Sequence, residues 1–296
     1  MSADPLRLKA LARSLALAAV VALAACQSAP EPAPEPVEPP PPTIETTPIA
    51  VLLGTAEVRG HSVYVADMVT GKSLYEENAE ALRFPASLTK MMTLFLLFEA
   101  VESGTLSLDD ELPVSATAAS MPPSKLGLKA GSTIKVRDAA QAMAIKSAND
   151  VAVVVAEALA GSEQAFASQM TTRARGLGMQ RTRFVNASGL PDPMQVTTAL
   201  DMAILGRALK TRYPRFAPYF RAEEFTYAGR RYEATNKLLG KVRGVDGIKT
   251  GYVRMSGFNL VVSVRRGGRR LIVVVMGGRT GRERDREVTE LIERYM

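Results

Sequence analysis

Three short clusters in this 296-residue chain have the residue types and spacing for nucleophilic chemistry: Ser87-Leu88-Thr89-Lys90, Ser147-Ala148-Asn149 and Lys249-Thr250-Gly251. A serine three residues ahead of a lysine brings hydroxyl and amine to one face of a helical turn. An unprotonated amine there is a base for the hydroxyl, and a helix N-terminus favours the negative charge that develops beside it. Lysine at its ordinary pKa is a cation, so the scheme needs Lys90 to be buried and close to a second cation, which Lys249 supplies. Ser147 fits a proton relay between lysine and leaving group, and the Asn149 amide fits a substrate carbonyl. Lys249 and Thr250 offer a charge and a hydroxyl to a carboxylate, while Gly251 lets a substrate backbone approach closely.

Composition argues against other nucleophilic sites. The chain has one histidine, His61, and one cysteine, Cys26. A Ser-His-Asp triad would have to use His61, and a zinc or thiolate site lacks ligands. His61 opens the alternating run His61-Ser62-Val63-Tyr64-Val65-Ala66-Asp67, which reads as a strand start with no catalytic task. No metal or organic cofactor is required.

Each cluster alone has a plainer reading. Ser-x-x-Lys is expected about once by chance in a chain of this size, and Ser132-Thr133-Ile134-Lys135 also fits it. Ser87 and Lys90 alone suit a helix cap with a snorkelling lysine, and Asn149-Asp150 suits an N-cap for the run from Val151 to Leu159. Order and separation make coincidence unconvincing, because Lys-Thr-Gly is much the rarer motif.

The elements that must position these groups follow from local pattern. Phe84-Pro85-Ala86 precedes Ser87, and Leu88 to Phe98 is almost wholly apolar and bounded by Gly104, which predicts a buried helix entered at a proline. Ser132 follows Lys129-Ala130-Gly131 and precedes two β-branched residues, so it is structural. Ala140 to Ala160 reads as helix interrupted near Ser147 to Asp150. Lys249 follows Gly244 to Ile248 and precedes two β-rich runs, Phe258 to Arg265 and Leu271 to Met276, joined by Arg266-Gly267-Gly268-Arg269-Arg270. That hairpin signal puts Lys249-Thr250-Gly251 on a strand edge.

With Phe84 to Lys90, Lys146-Ser147-Ala148-Asn149-Asp150, Asn186-Ala187-Ser188-Gly189-Leu190 and Val245 to Tyr252, the chain from about Ile49 to Met296 resembles the D-alanyl-D-alanine carboxypeptidases, the low-molecular-mass penicillin-binding proteins. The resemblance implies an α+β fold like that of serine β-lactamases and penicillin-binding transpeptidases: an antiparallel sheet from both ends of the chain, with an inserted helical region. It implies Ser87, Lys90, Ser147 and Lys249 as the reacting groups, with Asn149, Thr250, Gly251 and Tyr252 binding substrate. The backbone N–H groups of Ser87 and Tyr252 would form the oxyanion hole. Arg284, placed after Gly277-Gly278-Arg279-Thr280, matches an arginine that helps hold the substrate's terminal carboxylate. The implied substrate is a peptidoglycan stem peptide, with β-lactams as covalent inhibitors. The alternatives are an endopeptidase acting on crosslinks, a β-lactamase and a non-catalytic wall-binding scaffold. No convincing Glu-x-x-x-Asn segment of class A β-lactamases lies between the second and third motifs. Val253 stands where many relatives carry a hydroxyl. Beyond the predicted last helix, Arg284 to Tyr295, neither the β-rich second domain nor the amphipathic anchor of many relatives is expected.

The N-terminus supplies a different anchor. Arg7, Lys9 and Arg13 precede an apolar stretch, Ser14 to Ala25, and Leu23-Ala24-Ala25-Cys26 resembles a bacterial lipobox. That stretch is short of the roughly 20 residues a membrane span needs. Residues 1–25 are therefore expected to be a lipoprotein signal peptide, with Cys26 lipidated to hold the protein to a membrane. Gln27 resembles the outer-membrane sorting residue, which gives a periplasmic protein with the outer membrane favoured. Residues 26–48 form a Pro/Glu-rich linker, and 49–296 a single catalytic domain. The chain carries +7; setting aside three cations and five anions before Ile49 leaves +9. A secretion signal turns that charge away from nucleic acid and toward an anionic wall polymer or carboxylate-bearing peptide.

Overall fold

Strict alternation of apolar side chains between two faces explains the sheet around which the protein is built. In a computed structural model that describes residues 58–296, β1 (Ser62–Asp67) and β2 (Ser73–Glu77) open the fold. A 3₁₀ turn (Ala86–Thr89) then leads into α1 (Lys90–Glu102). The helical region continues through β3 (Glu111–Pro113), α2 (Ala116–Ser120), β4 (Thr133–Lys135), α3 (Val136–Gln141), a π turn (Ala142–Lys146), α4 (Asn149–Ala160), α5 (Glu163–Leu177) and α6 (Ala199–Arg212). It closes with α7 (Ala217–Arg221) and the hairpin β5 (Glu224–Tyr227) and β6 (Arg230–Glu233). The chain then returns to the sheet with β7 (Val245–Val253), β8 (Gly257–Arg266) and β9 (Arg269–Gly278), and ends in α8 (Gly281–Tyr295).

The five-stranded sheet runs β2-β1-β9-β8-β7, with antiparallel neighbours throughout. It is the α+β arrangement anticipated, with strands from both ends of the chain and helices between. Val63, Val65, Leu260, Val262, Leu271, Val273 and Val275 face α8, where Val288, Leu291 and Ile292 cover them. Their neighbours Tyr64, Ala66, Val261, Ile272, Val274 and Met276 face the helical lobe. The β8–β9 connection is tighter than the five residues foreseen, because Gly267 and Gly268 take φ of 51° and 83°, the paired positive values of a two-residue hairpin turn. Helix α8 starts three residues before Arg284, where the Thr280 hydroxyl accepts from Glu283 N at 3.1 Å.

Helix α1 is apolar all round because it is buried all round: Met91, Met92, Leu94, Phe95, Leu97 and Phe98 are each fully enclosed. The expected first turn is corrected in one respect. Ser87 lies in a 3₁₀ turn whose Ala86 has φ of 48°, and the α-helix begins only at Lys90. The Asn259 side chain on β8 donates to the Phe84 and Pro85 carbonyls at 3.0 and 3.2 Å, which holds the turn away from helical geometry.

One buried carboxylate ties the loop in front of α4 to that helix. Asp150 accepts from the backbone N–H groups of Leu126, Gly127, Leu128 and Val151 at 2.8–3.2 Å. This holds in place a segment whose Pro122 and Ser124 carbonyls meet Asn149. Replacing Asp150 with alanine orphans those donors and is expected to lower stability by about 3 kcal/mol. Urea unfolding reads this as a fall in midpoint at unchanged slope; an unmoved midpoint would mean that the clamp contributes nothing.

Candidate active site

Lys90 is a long, charged-type side chain with no exposed surface. Its Nζ lies 2.7 Å from Asn149 Oδ1, 3.3 Å from Ser87 Oγ and in hydrogen-bond contact with the Ser188 carbonyl. Burial first, and the Lys249 charge second, push its pKa well below the usual lysine range. A neutral amine has two N–H donors and one lone pair. The Asn149 and Ser188 oxygens can only accept, so they take the two hydrogens, and the lone pair is left for the Ser87 hydroxyl. The half-buried Ser87 lies within hydrogen-bond reach of that amine.

The loop carrying the Ser188 carbonyl is fixed by close packing. Thr93 donates to the Ala187 carbonyl at 2.7 Å. Gly189, at φ of 83°, passes so close to the nucleophile turn that a Cβ would sit 1.9 Å from the Ala86 oxygen. Gly251 approaches from the other side, where a Cβ would meet Ser87 N at 3.2 Å and the Pro85 oxygen at 3.0 Å. Lys249, Thr250 and Gly251 lie on β7, the open edge of the sheet, as the hairpin signal implied. The next residue, Tyr252, is 55 % exposed and stacks on Phe258 with ring centroids 4.2 Å apart.

Ser147 occupies the break between the π turn and α4, in the left-handed region at φ of 64°. Its Oγ is buried and has no hydrogen-bond partner among the described residues. A buried hydroxyl without a partner costs free energy, and it is open to hydrogen-bond a molecule that enters the site. Asn149 is more committed than expected: Oδ1 is taken by Lys90 and Nδ2 donates to the Pro122 carbonyl at 2.9 Å, leaving one N–H of the amide for a ligand.

Lys249 is also enclosed, and its Nζ donates to the Thr250 carbonyl at 3.1 Å. Burial, reinforced by the Arg284 cation, pushes its pKa down to about 7. The Thr250 hydroxyl donates to Thr235 Oγ1 at 2.7 Å. Arg284 lies inside the fold, donating to the Asn259 carbonyl at 2.6 Å and pairing with Asp285 at 2.8 Å. Its charge therefore reaches the Lys249 neighbourhood from a fixed, buried position.

His61 bridges Glu77 and Glu287, away from these groups, and Ser132 donates to the Lys129 carbonyl in a surface turn. Cys26, the signal segment 1–25 and the linker 26–48 lie outside the described residues. Sequence reasoning missed Asn259, Asp150, Thr235 and the Ser188 carbonyl. Only Asn259 left a signal, as an amide inside the apolar run Phe258 to Val264.

The sign of the Lys249 shift makes a stability prediction. The unfolded amine holds its proton up to about pH 10.5, whereas the folded amine holds it only to about 7. Between those values the unfolded state binds more protons, so wild-type stability rises with pH by on the order of 1 kcal/mol per unit from this group. Lys249→Met removes that slope. The variant should gain most over wild type at or below pH 7 and lose the advantage toward pH 10, read by urea unfolding at several pH values. Parallel curves for the two proteins would contradict the buried, proton-poor amine.

A sequence profile of D-alanyl-D-alanine carboxypeptidases matches residues 49–280. The chain is 36% identical over 246 residues to the D-alanyl-D-alanine carboxypeptidase DacA of Escherichia coli K12, covering 81% of this chain and 61% of that one. It is 34% identical over 238 residues to DacF of Bacillus subtilis, covering 78% and 61%. The chain thus spans about three fifths of the length of these relatives. Penicillin-binding protein D2 of Listeria monocytogenes, in its cefotaxime-bound form, superposes with a TM-score of 0.72 at 34% identity, covering 80% of this chain and 96% of that one.

Proposed function

The chain belongs to the D-alanyl-D-alanine carboxypeptidase family, and from that premise we propose that it is a serine carboxypeptidase that removes the terminal D-alanine from peptidoglycan stem peptides. The observation that carries the proposal is the fully enclosed Lys90 amine, within hydrogen-bond distance of Asn149 Oδ1, the Ser188 carbonyl and, at 3.3 Å, Ser87 Oγ. Lys90 takes the Ser87 proton as the oxygen attacks the carbonyl between the two D-alanines. The tetrahedral oxyanion is met by the backbone N–H groups of Ser87 and Tyr252, and Gly251 leaves room for the substrate backbone along the edge of β7.

The departing residue carries a carboxylate, and Lys249, Thr250 and the buried Arg284 supply the positive field and hydroxyl that hold it. The Ser147 hydroxyl, without a hydrogen-bond partner among the described residues, together with Lys249 returns a proton to the leaving amine. The remaining N–H of Asn149 meets the peptide. Water then hydrolyses the Ser87 ester. A β-lactam enters by the same attack and remains bound as a slowly hydrolysed acyl group. On the same proposal a lipidated Cys26 anchors the domain through residues 26–48 and the activity is periplasmic, with the outer membrane as the favoured anchor; the lipobox-like Leu23-Ala24-Ala25-Cys26 supports this.

Incubating the full-length chain with a fluorescent penicillin and, separately, with a pentapeptide ending in D-Ala-D-Ala tests this directly. Wild type should become labelled and release D-alanine, and Ser87→Ala should do neither, a loss of roughly 10³-fold or more. Labelling without release would identify a scaffold that has lost turnover, and release only from crosslinked dimers an endopeptidase. A penicillin adduct on another residue would overturn the assignment of Ser87.

A further inference from the structure

Strand β7 ends in the turn Arg254-Met255-Ser256, which opens onto a groove of about 760 Å³ across the end of the sheet. The groove is lined by three arginines, Arg59, Arg254 and Arg279, together with Met255 and the strand-end glycines Gly257, Gly277 and Gly278. Arg279 is paired with Glu283 at 3.1 Å. Among the described residues neither Arg59 nor Arg254 has an ion pair or hydrogen bond, so the groove has three cations against one carboxylate. A concave surface of one sign concentrates its field on whatever anion enters it, more than the same arginines would on a convex surface.

The groove adjoins the reacting groups. Met255 also lines a small recess with Phe84, Pro85, Ala86 and Gly189, directly behind the nucleophile turn. If a peptide lies along β7 with its leaving carboxylate at Lys249 and Thr250 and its reacting carbonyl at Gly251, its upstream residues continue past Val253 toward Arg254. Three residues of strand cover roughly 10 Å, the reach of two or three extended peptide residues. Resting on that reading of the site, we propose that the groove of Arg59, Arg254 and Arg279 is a subsite for carboxylates carried by the substrate peptide upstream of the acylated residue.

Two acetylated pentapeptides ending in D-Ala-D-Ala, alike except for Glu or Gln at the second position, test the subsite. Wild type at low salt should favour the Glu peptide in kcat/KM by roughly fivefold, and the preference should shrink in 0.5 M salt as exposed charges are screened. Arg254→Ala should bring the ratio toward one, and Arg254→Glu should invert it. A wild-type ratio of one at low salt, or an unaltered preference in Arg254→Glu, overturns the subsite while leaving Ser87 chemistry intact. Fluorescence anisotropy of the labelled peptides on Ser87→Ala gives a reading independent of turnover. Cleavage of neither peptide by wild type would count against the catalytic reading, and equal binding of both to Ser87→Ala would count against the groove.

Discussion

The protein depends on keeping one amine dry. Lys90 sits where water cannot reach it, touching two oxygens that only accept and one hydroxyl that can donate. In water its ammonium would be well solvated and its lone pair unavailable. Inside the fold the charged form loses that solvation and gains a neighbouring cation, so proton loss is what burial favours. The same physics acts on Lys249, whose enclosed amine sits near the equally enclosed Arg284. Two buried lysines and a buried arginine are a poor recipe for stability, and a protein retains such a cluster where its field is put to use.

Holding that arrangement takes rigid backbone from three directions. Gly189 presses on the turn before α1 so closely that no side chain would fit, and Gly251 packs against the same turn where a Cβ would be tight at 3.0–3.2 Å. Asn259 grips the Phe84 and Pro85 carbonyls while its own Oδ1 accepts from Gly277 N at 2.9 Å, which ties the turn that carries Ser87 to the sheet. Asp150 fastens the loop whose carbonyls orient Asn149, and Asn149 in turn orients Lys90. Strain accumulates at Ala86 and Ser147, the two non-glycine residues of this neighbourhood with positive φ, beside Ser87 and Asn149.

The parts that were legible in the sequence are those carried by side-chain type and period. The Ser-x-x-Lys and Lys-Thr-Gly clusters could be placed on a buried helix entry and an edge strand because apolar runs and the Gly267-Gly268 hairpin signal flank them. The β8–β9 hairpin could be read from the β-rich runs near the C-terminus, whereas the sheet joining both ends of the chain was implied only by the family resemblance. What could not be read was backbone chemistry. The Ser188 carbonyl is an acceptor any residue would offer, and its role depends on a contact 98 positions away. Ser87 was expected on the first turn of the helix proper, yet tertiary clamps hold it in a tighter turn, which local pattern does not encode. Asp150 read as an ordinary cap, because the loop donors it also serves lie more than 20 residues upstream.

The protonation state of Lys90 is directly observable. In protein labelled with ¹³C and ¹⁵N at lysine, the Cε and Nζ shifts of Lys90, assigned by comparison with Lys90→Met, should report a neutral amine at pH 7 in the resting protein. They should show no protonation step near the ordinary lysine value of about 10.4. A Lys90 signal that remains an ammonium through neutral pH and titrates with the surface lysines would contradict the account.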